Sequence, residues 1–190
     1  MRDNRLMRAD TADLCDVRVF RPEPFRDDRG LFTRTFDARL FDAEVGPTGV
    51  RSCDLLQDSQ SRSVRGVVRG MHGRTGRGEA KLVRCAHGAV HDVLVDVRRD
   101  SPTFGRQQVF RLDDVEFAHL FVPPGFLHGF QVLTDTADVC YRIDREHDPA
   151  EDIAVRYDDP DLAIAWPLPL TVLSARDAAA GSWRDLLAAL

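Results

Sequence analysis

The stretch Lys81-Leu82-Val83-Arg84-Cys85-Ala86-His87-Gly88-Ala89-Val90-His91-Asp92-Val93-Leu94-Val95-Asp96-Val97-Arg98 reads as a strand, a tight turn at His87-Gly88 and a returning strand. Within the second half Val93, Val95 and Val97 alternate with Asp92, Leu94 and Asp96. A period of two belongs to a strand and not to a helix. Outward from this pair the same pattern recurs. Ser101-Pro102-Thr103-Phe104-Gly105 is a loop and Gln107 to Leu112 a further strand. His119 to Val122 and Phe130 to Thr134 flank a Pro123-Pro124-Gly125 turn, and Asp138 to Ile143 follows Asp135-Thr136. Many short strands between frequent turns predict an all-β sandwich or barrel.

Helix is expected mainly at two places. Asp37 to Val45 carries Ala38, Leu40, Phe41 and Val45 before the Gly46-Pro47 breaker. Ser182 to Leu190 places Trp183, Leu186, Leu187 and Leu190 at helical spacing, with Ser182 as N-cap. No repeat or long linker divides the 190 residues, so a single domain spanning 1–190 is expected, with 1–16 an N-terminal arm and 181–190 a C-terminal helix.

Composition narrows the function classes. Apolar residues make up 43% and charged residues 30%, which fits a soluble globular chain. A net charge of −5 supplies no general basic field, which argues against nucleic acid as a partner. No apolar run reaches the roughly 20 residues of a membrane span. Cys15, Cys53, Cys85 and Cys140 are far apart and form no CxxC pair, so reduced thiols are expected. With the polar start Met1-Arg2-Asp3-Asn4-Arg5, this gives the expectation of a cytoplasmic protein.

The chemistry-bearing residues cluster in a few segments. Val67-Val68-Arg69-Gly70-Met71-His72 puts a guanidinium and an imidazole three residues apart. A histidine in a strand is ordinarily a packed, hydrogen-bonded side chain. This one is followed by Gly73-Arg74-Thr75-Gly76-Arg77-Gly78, a polar stretch that no core requires, and imidazole titrates where a general base is useful. Lys81 is the only lysine of the chain and opens an apolar strand. A cation aimed at an oxygen where charge develops is a strong catalytic element, although most such side chains are simply solvated. Tyr141 lies inside a strand, where packing and a role at a site are equally ready readings. Asp177, by itself, reads as a surface acid.

Pro123-Pro124-Gly125-Phe126-Leu127-His128 brings out a second imidazole and resembles half of a metal-binding cupin signature. The other half would need a second histidine after His72, where Gly73-Arg74 stands, and Arg74 and Lys81 would oppose a divalent cation. No metal is therefore expected.

Taken together, seven segments in order resemble the dTDP-4-dehydrorhamnose 3,5-epimerase family of cupin or jelly-roll proteins. They are Phe25 to Phe32, Val67 to His72, Lys81 to Cys85, Val95 to Gly105, Pro124 to Phe130, Asp158 to Pro167 and Leu173 to Asp177. The resemblance implies a jelly-roll with a few short peripheral helices, and an epimerase acting at C3, C5 or both of a 4-keto nucleotide sugar, with no cofactor. His72 would be the base, supported by Asp177. Tyr141 would return a proton on the opposite face, and Lys81, with Arg69 and His128, would stabilise the enolate oxygen. Arg29 and Phe32 would reach a partner's pocket in a homodimer with N-terminal strand exchange, and Gln57 would meet the nucleotide or sugar. The chain departs from the family pattern at Gly73-Arg74, Arg34, Ser59 and Glu146-His147. A GDP- or CDP-linked sugar therefore stays open, as does a non-catalytic sugar-nucleotide-binding cupin; a metal-dependent cupin is the third reading.

Overall fold

Two antiparallel sheets face one another in the computed structural model of the chain, which describes residues 6–190. The first has six strands in the order β1 (Met7–Thr11), β2 (Arg18–Pro22), β10 (His119–Val122), β7 (Lys81–His87), β12 (Thr136–Ile143) and β5 (Gln57–Val64). The second has five, in the order β13 (Asp152–Ala154), β6 (Val68–Arg74), β11 (Phe126–Val132), β8 (Ala89–Asp96) and β9 (Gln107–Asp113). A separate two-stranded ribbon is made by β3 (Phe25–Asp27) and β4 (Gly30–Phe32). From β9 onward the chain passes back and forth between the sheets, which is the jelly-roll arrangement that the resemblance implies and a form of the sandwich that the pattern predicts.

The strand pair that announces the fold is not a hairpin. β7 pairs with β10 and β12, whereas β8 pairs with β11 and β9, in the opposite sheet. Gly88 is thus a corner between sheets. Its φ of +74° suits glycine, and a β-carbon there would run into the backbone oxygen of Thr136. Local alternation identifies strands but says nothing of which partner each finds, because ladder bonds form between segments distant in sequence.

Between the sheets lies a core of Val83, Val90, Leu94, Leu112, Leu120, Phe130 and Val139 with their neighbours, drawn from both layers. Each outer face is covered by a helix. α1 (Ala38–Val45) is capped by Asp37, whose side chain accepts from the backbone N–H groups of Arg39 and Leu40. It buries Phe41 and Val45 against Phe20, Leu82 and Phe121 of the six-stranded sheet. The C-terminal α3 (Trp183–Ala189) is closed by a Ser182–Asp185 capping box and packs Trp183 and Leu186 on Met71, Val93, Val95 and Leu127 of the other sheet. Both helices stand where the sequence places them. The arm expected over 1–16 includes β1, which pairs with β2 of its own chain; residues 1–5 lie outside the described residues.

Two expectations change. His128 sits within β11 and not on a turn, since the strand begins at Phe126. Gly73 and Arg74, expected in a loose polar stretch, complete β6, and the Arg74 side chain is only 6% exposed. A third helix, α2 (Ala175–Ala178), was not expected; four residues are too few for a period to register.

Candidate active site

One face of β6 carries both Arg69 and His72, which regular alternation forbids at a spacing of three. The pairing of β6 with β11 explains it. His72 lies opposite His128 and Arg69 opposite Phe130, so Gly70 and Met71 together oppose Gly129 alone. This is a β-bulge: it inserts one residue and returns the next side chain to the same face. The two glycines permit it. A β-carbon on Gly70 would lie 2.5 Å from the Gly129 Cα, and one on Gly129 would lie 2.6 Å from Met71 Sδ. Met71 points the other way, fully buried under α3.

Arg69 and His72 open onto a cavity of about 780 Å³, within the range of small-molecule sites. Lys81, His128, Tyr141 and Asp177 border the same cavity, so six of the nine residues singled out from the sequence meet there. Gln57, Arg29 and Phe32 do not. Gln57 is exposed at the start of the edge strand β5. Arg29 is held by Asp27 at 2.6 Å on the exposed β3–β4 ribbon, and Phe32, on the same ribbon, is 69% exposed.

His72 Nε2 is 2.6 Å from Asp177 Oδ1, a contact spanning 105 residues of sequence. Asp177 is buried and comes from α2, whose N-cap Ser174 accepts its backbone N–H. With a carboxylate as partner, Nε2 carries the hydrogen and donates it, which leaves Nδ1 as the basic nitrogen. Burial pulls the His72 imidazole below its ordinary value, against the opposite pull of Asp177; Arg176 and Lys81 add to the lowering. A neutral base at neutral pH is the result.

The other groups are held as firmly. Tyr141 Oη lies 3.3 Å from Ser61 Oγ, and burial pushes its phenol well above the usual range, so it is a proton donor and not a resident phenolate. His128 Nε2 meets Asp92 Oδ2 at 2.8 Å, both side chains buried. Lys81 Nζ is 2.9 Å from Glu79 Oε1. Arg69 Nε donates to Ser63 Oγ at 2.9 Å, and among the described residues no carboxylate pairs with it. Arg62 and Arg176 extend the cationic rim, the first bonded twice to Asp138 and the second to Asp152 at 2.9 Å.

Sequence reasoning missed Glu79, Asp92, Arg62 and Arg176. Signals existed for two of them. Asp92 interrupts an apolar strand, and Glu79 stands two residues before Lys81, the spacing of side chains on one strand face. An imidazole freed at one nitrogen, a neutral phenol and several cations around one cavity can remove a proton beside a carbonyl and stabilise the oxyanion that forms.

Comparison with known proteins points the same way. The model of the family described as dTDP-4-dehydrorhamnose 3,5-epimerase matches residues 11–185. The chain is 37% identical over 180 residues to the dTDP-4-dehydrorhamnose 3,5-epimerase of Pseudomonas aeruginosa, covering 94% of this chain and 97% of that protein. Among solved structures it resembles NovW, a 4-keto-6-deoxy sugar epimerase from the novobiocin gene cluster of Streptomyces spheroides. The TM-score is 0.90 and the identity 38%, over 96% of this chain and 90% of that one. It also resembles the dTDP-6-deoxy-D-glucose-3,5-epimerase of Legionella pneumophila in complex with dTDP-4-keto-L-rhamnose, with a TM-score of 0.84, 36% identity, and 92% and 91% coverage.

Proposed function

This chain belongs to the dTDP-4-dehydrorhamnose 3,5-epimerase family, and on that premise we propose how its own residues perform an epimerisation. The substrate is a nucleotide sugar of the dTDP-4-dehydro-6-deoxyhexose type, inverted at C3, C5 or both. The observation that carries the reading is the His72–Asp177 pair at 2.6 Å on the wall of a cavity that Lys81 and Tyr141 also border.

Hydrogens at C3 and C5 are acidified by the C4 ketone, because the electron pair left behind delocalises onto its oxygen. His72 Nδ1 takes the proton, and Asp177 accepts from Nε2 and stabilises the imidazolium. The negative charge gathers on the C4 oxygen, where Lys81 and Arg69 oppose it, with His128 on the same cavity wall. These contacts strengthen as charge develops, which lowers the barrier and not merely the ground state. Tyr141 then gives its proton to the opposite face of the carbon. The imidazolium and phenolate reset by exchange with water. No electrons are gained or lost, so no redox cofactor enters the balance.

The rest of the reading follows from the same premise. Residues 1–190 act as one cupin-like unit, because both sheets contribute to one cavity wall. The exposed apolar ribbon, with Phe25 at 58% and Phe32 at 69%, suits a segment that inserts into a second copy of the chain, which makes a homodimer with N-terminal exchange. Four free cysteines fit a reducing cytoplasm, and no helix among the described residues is long and apolar enough to cross a membrane.

The test is incubation with dTDP-, GDP- and CDP-linked 4-keto sugars in D2O. Deuterium entering at C3 or C5 of one of them, with inversion, is the expected result. Tight binding with no label in any of them would favour a binding protein instead.

A further inference from the structure

Behind Lys81 stand two charged side chains that the proposed mechanism does not use. Glu79 Oε1 is 2.9 Å from Lys81 Nζ, and Glu79 Oε2 is 2.9 Å from Arg74 Nε. Both are almost inaccessible, Glu79 at 7% and Arg74 at 6%. Arg74 is further fixed by the backbone oxygen of Glu146 at 2.9 Å and by His147 Nδ1 at 2.8 Å, with Asp152 Oδ1 at 3.8 Å. Its guanidinium faces protein on every side and does not border the cavity.

A lysine at the rim of a large cavity is a mobile point charge with many rotamers. A buried carboxylate that spends one oxygen on it removes that freedom, while two of the three ammonium N–H groups stay available. Charge matters as much as geometry. Glu79 with Lys81 alone is a neutral pair that would offer little to an oxyanion. Arg74 on the second oxygen brings the trio to a net single positive charge, and Asp152 beside Arg74 is itself matched by Arg176 at 2.9 Å, so Lys81 keeps a field directed into the cavity. Because Arg74 follows His72 by two residues on β6, the same strand that carries the base also fixes the cation.

We propose that Glu79 and Arg74 are positioning residues for Lys81: Glu79 aims the ammonium, and Arg74 anchors Glu79 and offsets its charge. The oxygen that Lys81 meets rests on the epimerase reading; the placement of the ammonium does not.

Lysine occurs once in the chain, so protein labelled with 15N-lysine gives one side-chain signal, that of Lys81. In the isosteric Glu79→Gln variant that signal moves and narrows, and the rate at which Lys81 is acylated by an activated ester rises several-fold. With substrate, kcat falls by ~10–100-fold while KM changes little, the mark of an interaction made in the transition state. Arg74→Gln gives a smaller loss in kcat, and the double variant is no worse than Glu79→Gln alone, since Arg74 acts through Glu79. A Lys81 signal and acylation rate unchanged in folded Glu79→Gln overturn the proposal, whatever the kinetics. A wild-type protein that exchanges no substrate proton, yet shows the Lys81 response, keeps the positioning and strikes the epimerase reading.

Discussion

His72 gathers its properties from three places: a strand that aims it, surroundings that partly bury it, and a carboxylate 105 residues away that orients it. Burial lowers its proton affinity, and Asp177 partly restores it. As the proposed base His72 must be neutral, so kcat/KM should fall on the acid side with a midpoint below the ordinary imidazole value of about 6.5. Replacing Asp177 by Asn removes the group that raises the affinity, so the acid limb should move to still lower pH while kcat drops. A pH–rate profile that moves upward in that variant contradicts the assignment. His72→Ala should lose about 10²–10⁴-fold or more in turnover with an unaltered circular dichroism spectrum. A Tyr141 variant would separate the two halves of the proposed reaction. Tyr141→Phe should still wash solvent deuterium into the substrate through His72 but lose inversion, which NMR of the product distinguishes directly. His72 and Lys81 were legible in the sequence as residue types in telling surroundings, whereas Tyr141 was marked out only by resemblance. The partnership of His72 with Asp177 was not legible from spacing and came only from resemblance, because nothing local links two residues on different elements.

At the scale of the element, the bulge in β6 is what turns a guanidinium and an imidazole three residues apart into neighbours on one wall. It depends on Gly129, where a β-carbon would lie 2.6 Å from Met71 Sδ and 3.0 Å from the backbone oxygen of Arg69. Gly129→Ala should therefore cost about 1–3 kcal/mol in urea denaturation, the usual penalty of overpacking. It should cost activity out of proportion to that, since a shifted β6 displaces Arg69 and His72 together. Equal stability and full turnover in the variant would mean the strands tolerate a wider spacing than these distances allow. The helices illustrate what local patterns reach. α1 and α3 carry caps and an apolar face long enough to read, whereas α2, which delivers Asp177, is a single turn fixed by Ser174 and by the Arg176–Asp152 ion pair. Strand pairing was hidden for the same reason that the Gly88 corner was: ladder partners are chosen over long separations.

The whole molecule presents its apolar surface unevenly. Phe25, Leu31 and Phe32 stand exposed on the β3–β4 ribbon, and every residue from Gln57 to Gln60 of the edge strand β5 is exposed as well. If the ribbon inserts into a second copy, sedimentation should give a dimer, and Phe32→Ser should shift it toward monomer while raising KM several-fold. A stable dimer with unchanged KM in Phe32→Ser removes the ribbon from the partner's site.

By itself the sequence determined the β class, two of the three α-helices among the described residues and several of the candidate site residues, because a two-residue alternation, a capped amphipathic run and a solitary lysine are each local facts. Only the tertiary structure decided that β7 and β8 part into different sheets, that Arg69 and His72 share a wall, and that Arg74 turns inward to Glu79. Those outcomes depend on which distant segments pack together. That choice is made by burial and hydrogen bonding summed over the whole chain, and no short stretch of residues contains it.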